Sequence, residues 1–104
     1  MKIVNLTPHT INYNDSVLSL VLDSAGEARC AVTRQPVASS APVKLCRTTY
    51  GTVTGLPAPV DGTIYVVSLL VRQACPHRTD LVSPGELIRD SAGRVVGCKS
   101  FDTN

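Results

Sequence analysis

The sequence predicts an α+β protein that is mostly antiparallel β-sheet, either a curled sheet or a small barrel, with one short helix near residues 69–75. Three observations favour this class. Aromatic residues make up only 4% of the chain, so the core must rest on valine, leucine and isoleucine, which suit a pleated sheet. Short stretches alternate apolar with polar residues. Glycine and proline separate these stretches.

The first half of the chain reads as a series of strands joined by tight turns. The alternation of TINYN and VLSLVLD on either side of DS is typical of half-buried strands. The SAGE turn follows, where Gly26 can adopt a positive φ. The small polar residues ASSAP then form a loop. The predicted strands of this half are 2–6, 10–14, 17–23, 28–37 and 43–55.

TIYVVS (63–68) is the most apolar strand and is therefore predicted to be central. Ser68 is a favourable N-cap for the helix LLVRQAC, and Pro76 ends it. Leu70, Val71 and Ala74 share one predicted buried face, opposite the outward Arg72 and Gln73.

The tail ELIRDSAGRVVGC predicts a hairpin with a glycine, Gly93, in a left-handed conformation. A length of 104 residues fits a single domain over 1–104.

Composition excludes several classes of function. The net charge is +2 and the ten basic residues are scattered singly, so the sequence carries no strong nucleic-acid signal. No apolar run approaches the roughly 18 residues of a membrane span, and the N-terminus lacks a signal-peptide pattern. These features predict a cytoplasmic protein, in which the four cysteines are reduced thiols.

Familiar catalytic and metal-binding motifs are absent from the sequence. Cys75 and His77 form an isolated C-x-H, whereas structural zinc sites need paired short spacings, and neither a metal nor a cofactor is predicted. A small hydrolase or transferase that uses Ser68 as nucleophile and His9 as base is one alternative. It would require a hydrogen-bonded pair that a sequence cannot show.

The strongest candidate site combines Ser68 with Arg78 and Asp80. Free amides at a helix start attract anions, and a guanidinium could grip a phosphate or carboxylate with two hydrogen bonds. The structural alternative is that Ser68 is an ordinary N-cap and that Arg78 pairs with Asp80 or Asp90.

The NLTPH segment offers three further candidates for ligand binding. Asn5, Thr7 and His9 interrupt the first strand with polar groups, and they could supply hydrogen bonds to a small ligand. The alternative is a turn around Pro8, capped by Asn5 or Thr7.

Three segments, MKIVNLTPHTI, YGTVTGLPAPVDGTIYVVSLLV and RTDLVSPGELIRDSAGRVVGC, resemble a family of small uncharacterised proteins of bacteriophages, prophages and bacterial genomes. The resemblance covers both ends and most of the second half of the chain, and it leaves residues 14–48 without support. It assigns no activity. The matching positions are Asn5, Thr7, Pro8, His9, Tyr50, Gly51, Gly55, Leu56, Pro57, Tyr65, Ser68, Arg78, Asp80 and Gly97.

This resemblance implies a mobile-element protein, and small phage proteins without catalytic motifs are often binders. We therefore expect a non-enzymatic phage-type accessory protein, with anti-defence as its setting. It would either sequester a small phosphorylated nucleotide signal or dock on a host defence protein. A structural or interaction module is the remaining alternative. Exposed strand edges are also compatible with a homo-oligomer.

Overall fold

The computed structural model describes all residues from Met1 to Asn104 and contains ten strands and one helix. The strands are β1 Lys2–Asn5, β2 Ile11–Asn14, β3 Ser19–Leu22, β4 Arg29–Val37, β5 Leu45–Thr54, β6 Thr63–Val66, β7 Leu81–Pro84, β8 Leu87–Arg89, β9 Val95–Cys98 and β10 Phe101–Thr103, and the helix α1 is Leu69–Ala74. Sheet A has the order β1-β6-β7-β10, sheet B has the order β3-β2-β9-β8, and β4 and β5 form a separate hairpin.

The predicted class is confirmed, and the sheets are open rather than closed into a barrel. Four strand pairings are antiparallel (β7–β10, β2–β3, β4–β5 and β8–β9). The pairings β1–β6, β6–β7 and β2–β9 are parallel. The parallel pairings in sheet A join strands that are distant in sequence, so local patterns alone do not reveal them.

Sheet A contains the main core, and β6 lies inside it as predicted. Tyr65, Val66 and Val67 are buried, and the apolar run reflects a strand that is covered on both faces. Leu81 of β7 and Val71 of α1 complete the centre of this core.

The helix begins at the predicted cap and ends before Pro76, and its faces match the prediction at buried Val71 and exposed Gln73 but not at Leu70 and Arg72. Val71 and Cys75 are buried while Leu70 is 37% exposed. Arg72 does not point away: its Nε donates to Ser83 Oγ at 2.8 Å and its Nη1 to the Thr103 carbonyl at 3.0 Å. Since the helix has six residues, this tertiary anchoring decides which face is covered.

Sheet B shows the alternation that the sequence predicts. In β2, Ile11 and Tyr13 are half-buried while Asn12 is exposed. The Tyr13 ring stacks on Phe101 of sheet A, with centroids 5.3 Å apart, so this pair connects the two sheets. The predicted β8–β9 hairpin is present, and Gly93 has a φ of 81°.

The β4–β5 hairpin joins the rest of the molecule only at its root. Cys30 and Val53 pack against the main core. Gly55 follows β5 with a φ of 77°, and a Cβ there would lie 2.3 Å from the Glu27 carbonyl oxygen, so only glycine fits this exit from the hairpin.

The molecule is flat and exposes much of its chain. It measures 51 × 39 × 20 Å with a radius of gyration of 16.3 Å, whereas a compact domain of this length has about 13 Å. Eleven of the 104 residues are buried, and the accessible area is 6967 Å². A compact monomer of this mass exposes about 5,600 Å², so roughly 1,300 Å² is in excess. The single helix falls well short of the length and apolar character that a membrane crossing requires.

Candidate functional site

Asn5 organises the turn that follows β1 and has no hydrogen-bonding group left for a ligand. The residue is 2% exposed. Its Nδ2 donates to the carbonyls of His9 (2.7 Å) and Leu22 (2.8 Å), and its Oδ1 accepts from the amide and hydroxyl of Thr7 (3.0 and 2.6 Å). An amide side chain has two donor hydrogens and two acceptor lone pairs. All are used, so the structure gives Asn5 a structural role in place of the predicted ligand contact.

Thr7 and His9 lie beside Asn5 in the same turn. The Thr7 hydroxyl is also 3.1 Å from the His9 carbonyl, and the Thr7 carbonyl accepts from Ser24 Oγ at 2.6 Å. These contacts hold Thr7 in the turn. His9 is exposed and lines an open cleft beside β2 and β9 of sheet B, so His9 is the member of this group that a ligand can reach.

Ser68 is the N-cap of α1, as the structural alternative proposed. Its side chain accepts a hydrogen bond from the Val71 amide at 3.3 Å. The residue is exposed and borders a shallow depression near Glu27 and Arg29. No hydrogen bond of the structure joins the Ser68 hydroxyl to His9 or His77.

Arg78 and Asp80 form a nearly buried ion pair, which is also the structural alternative proposed above. Arg78 Nε and Nη2 donate to the two carboxylate oxygens of Asp80, both at 2.8 Å, and Nη2 also donates to the Pro57 carbonyl at 3.0 Å. Only 15% and 16% of the two side chains are exposed. The hydrogen bonds from Arg78 lower the pKa of Asp80, and those to Asp80 raise the pKa of Arg78. The positive charge is therefore already neutralised.

The structure places the Arg78–Asp80 pair and Ser68 at opposite ends of sheet A. β6 and β7 are parallel, so α1 must carry the chain from the carboxyl end of β6 back to the amino end of β7. Ser68 precedes this crossover and Arg78 follows it. Asn5 pairs with Val66 and lies at the same end as Ser68. The six predicted residues therefore do not form one pocket, and the predicted combination of Ser68 with Arg78 is not assembled.

The main concave feature is a cleft of about 560 Å³ on sheet B, lined mainly by its two interior strands, β2 and β9. Its size falls within the range of small-ligand sites, and its walls are largely apolar. Leu87, Val95 and Val96 line it while remaining 44%, 51% and 47% exposed. The other lining residues are His9, Thr10, Ile11, Asn12, Pro84, Gly97 and Cys98. We call this feature the sheet B cleft.

Of the residues that line this cleft, only His9 was a candidate site residue predicted from the sequence. The alternation in β2, β8 and β9 was visible, but the parallel contact of Tyr13 with Cys98 brings those strands together across more than 80 positions. Gly97 permits this approach, because a Cβ there would lie 2.6 Å from the Asn12 carbonyl oxygen. Gly97, a glycine inside a predicted strand, was the sequence feature that could have indicated this close approach of two backbones.

No group of three or more His, Cys, Asp and Glu side chains is arranged to hold a metal ion. All four cysteines are free: Cys75 and Cys98 are buried, Cys30 is half-buried and Cys46 is exposed. Burial raises the pKa of the Cys98 thiol, which disfavours the reactive thiolate.

The fold and its surface define an open, β-rich protein with one apolar cleft. Searches against protein-family models, curated proteins and solved structures find no match for this chain.

Proposed function

We propose that this chain is a non-enzymatic accessory protein that acts by docking on another protein through the sheet B cleft. The observation that carries this proposal is the exposed apolar lining of the cleft, and the excess accessible surface of the chain supports it. A flat chain of 6967 Å² exposes roughly 1,300 Å² more than a compact monomer, and a typical protein interface covers about 800 Å² on each partner. The excess is large enough for one such interface.

The composition of the cleft supports a protein partner. Exposed Leu87, Val95 and Val96 form an apolar centre, and His9 and Asn12 lie among the polar lining. An apolar centre with a polar rim is the usual arrangement of a binding hot spot. The partner would insert a large apolar side chain into the cleft.

Two other expectations receive less support from the structure. Capture of a phosphorylated nucleotide at the predicted site would need a free positive group there, but the Arg78 guanidinium is paired with Asp80 and lies away from Ser68. A hydrolase would need a base beside Ser68, yet its hydroxyl contacts the Val71 amide. Docking on a protein needs neither group.

The resemblance to phage and prophage proteins supplies the biological setting of the proposal. A host defence protein is the partner that this setting favours. It would be bound in the host cell, and the bound protein would be blocked without chemical change.

A matched pair of variants tests this function. Val96→Asp places a charge in the cleft, whereas Val21→Asp places it on exposed β3, outside the residues that line the cleft. Each tagged variant is used to capture proteins from the bacterial host. A protein retained by Val21→Asp and lost by Val96→Asp is then purified, and its Kd is measured by calorimetry.

We expect Val96→Asp to weaken this Kd by about 30-fold or more, the effect of a hot-spot residue worth about 2 kcal/mol. Leu87→Asp should act in the same way. Equal binding by all three variants would reject the cleft as the docking site. Stabilisation of the chain by free nucleotides, measured as a rise in Tm, would instead favour capture of a small ligand.

A further inference from the structure

The β4–β5 hairpin projects as a two-stranded ribbon that is exposed on both faces. Beyond its root at Cys30 and Val53, every residue from 31 to 52 is exposed except the half-buried Val37. The strands pair from Arg29 with Thr54 to Val37 with Leu45. A ribbon of this length that covers no core has no role in packing the domain, so its side chains are available to a partner.

Charge is distributed very unevenly between this hairpin and the rest of the chain. Residues 28–60 contain four of the ten basic residues and none of the eight acidic ones. The remaining residues carry six basic and eight acidic side chains, so the hairpin is positive while the rest is negative. We call residues 29–54 the basic arm.

Three of the four charges on the basic arm have no partner within the chain. Arg29, at the root, pairs with Glu27 at 2.7 Å. Arg34, Lys44 and Arg47 take part in none of the ion pairs of the structure. Unpaired cations on an exposed ribbon are free to contact an external anion.

The strand register places positive charge on both faces of the ribbon. Arg34 is opposite Thr48, and the next pair joins Gln35 to Arg47. Cross-strand partners share a face and successive pairs alternate between faces, so Arg34 and Arg47 point in opposite directions. A flat acidic protein surface could contact only one of these faces at a time.

We infer that the basic arm binds duplex DNA by lying in the major groove. The groove is about 12 Å wide and admits a two-stranded β-ribbon, and phosphates line both of its walls. With the ribbon inserted edge-on, its two faces meet the two walls, so Arg34 and Arg47 would reach opposite walls and Lys44 would contact a phosphate near the tip. Gln35, Thr48 and Thr49 carry the hydroxyl and amide groups that hydrogen-bond to phosphates or base edges.

This inference goes beyond the proposed function, because it concerns a different part of the molecule and a different partner. The sheet B cleft and the basic arm share no residue. Variants of one therefore leave the other intact, and either proposal can fail alone.

The dependence of the DNA affinity on salt concentration should report the number of phosphates that the basic arm contacts. Three neutralised phosphates give a slope of about −2.7 for log K against log salt concentration. Raising the salt from 50 to 200 mM should then weaken binding by about 40-fold. Removing one contact should reduce the slope to about −1.8 and weaken binding about 8-fold at 100 mM salt.

Fluorescence anisotropy with a labelled 20-base-pair duplex measures these values for the wild-type chain, Arg47→Gln and Arg94→Gln. Arg94 is the matched control, since it is exposed, lies outside the arm and pairs with Asp90 at 3.2 Å. We expect Arg47→Gln to lower both the affinity and the slope, and Arg94→Gln to leave both unchanged within about twofold.

Any one of the following outcomes would overturn the inference that the basic arm binds duplex DNA. Undetectable binding at 50 mM salt would exclude a DNA site. Equal losses in Arg47→Gln and Arg94→Gln would show a general charge effect. Equal affinity for single-stranded DNA or polyglutamate would show that the groove is not recognised, and binding of polyglutamate alone would indicate an acidic protein partner. A circular dichroism spectrum identical to that of wild type confirms that each variant is folded.

Discussion

Replacing Asn5 with alanine should destabilise the protein far more than a typical polar substitution does. The side chain is buried and makes four hydrogen bonds, with Thr7 and with the carbonyls of His9 and Leu22. Alanine removes all four, and the Thr7 hydroxyl and the His9 carbonyl keep only their contact with each other at 3.1 Å. The Leu22 carbonyl belongs to β3, so the substitution also removes a hydrogen bond between β1 and sheet B.

The magnitude follows from the number of bonds. Each hydrogen bond contributes a net value of about 1 kcal/mol, and the turn is open enough for water to reach part of it. We therefore expect a loss of about 2–4 kcal/mol from a free energy of unfolding of about 5–15 kcal/mol. With a urea m-value near 1.5 kcal/mol per M, the midpoint should fall by about 2 M.

Urea unfolding followed by far-ultraviolet circular dichroism measures this change. Asn14→Ala is the matched control, because Asn14 is exposed on β2 and should change stability by less than about 0.5 kcal/mol. Thr7→Val removes only the hydroxyl contacts and should cost about 1 kcal/mol, which keeps the test informative if Asn5→Ala does not fold. A loss below about 1 kcal/mol in Asn5→Ala would refute the structural role.

Three further predictions concern ionisable groups. The lowered pKa of Asp80 means that its pairing with Arg78 stabilises the fold at neutral pH and that this contribution is lost as the pH falls below about 4. Asp80→Asn should therefore cost about 1–2 kcal/mol in urea unfolding at pH 7 and progressively less in acid; an equal cost at pH 7 and pH 2 would contradict the ion pair. The hydrogen bond to Asp15 raises the pKa of Tyr13, so absorbance at 295 nm should show late ionisation of that phenol. Asp15→Asn should lower the midpoint, and an unchanged midpoint would exclude the contact. Of the four thiols, exposed Cys46 should react first with Ellman's reagent, and Cys46→Ser should remove the fast phase, whereas its persistence would place another thiol at the surface.

Local patterns predicted much of the secondary structure, because alternation, helix capping and turn formation depend on residues that are close in sequence. The alternation of β2 and β3 matches one covered face, Ser68 caps the helix, and Gly93 provides the turn of the β8–β9 hairpin. The apolar run of β6 reflects its interior position. Each of these features depends on residues only a few positions apart.

The arrangement of the candidate site could not be predicted, since it depends on strand direction. Had β6 and the strand after α1 been antiparallel, as expected for most of the sheet, Ser68 and Arg78 could have lain at one end. The parallel pairing of Tyr65 with Leu81 separates them. The relative direction of two paired strands cannot be predicted from the local pattern of apolar and polar residues in either strand.

The charge of the basic arm was missed for a related reason. Its cations are separated by several residues in sequence, and no two are adjacent. Hairpin pairing brings Arg34 and Arg47 onto neighbouring pairs of one ribbon. A tally of the sign of charge along the chain would have revealed the stretch from 28 to 60 that lacks acidic residues.

Small-angle X-ray scattering on the size-separated protein tests whether this chain exposes more surface than a self-contained domain, as the proposed docking requires. We expect a particle of one chain, 11.0 kDa, with a radius of gyration near the 16.3 Å of the structure. A value near 13 Å, that of a compact domain, would remove the excess surface. A particle of two chains would show instead that a second copy covers it.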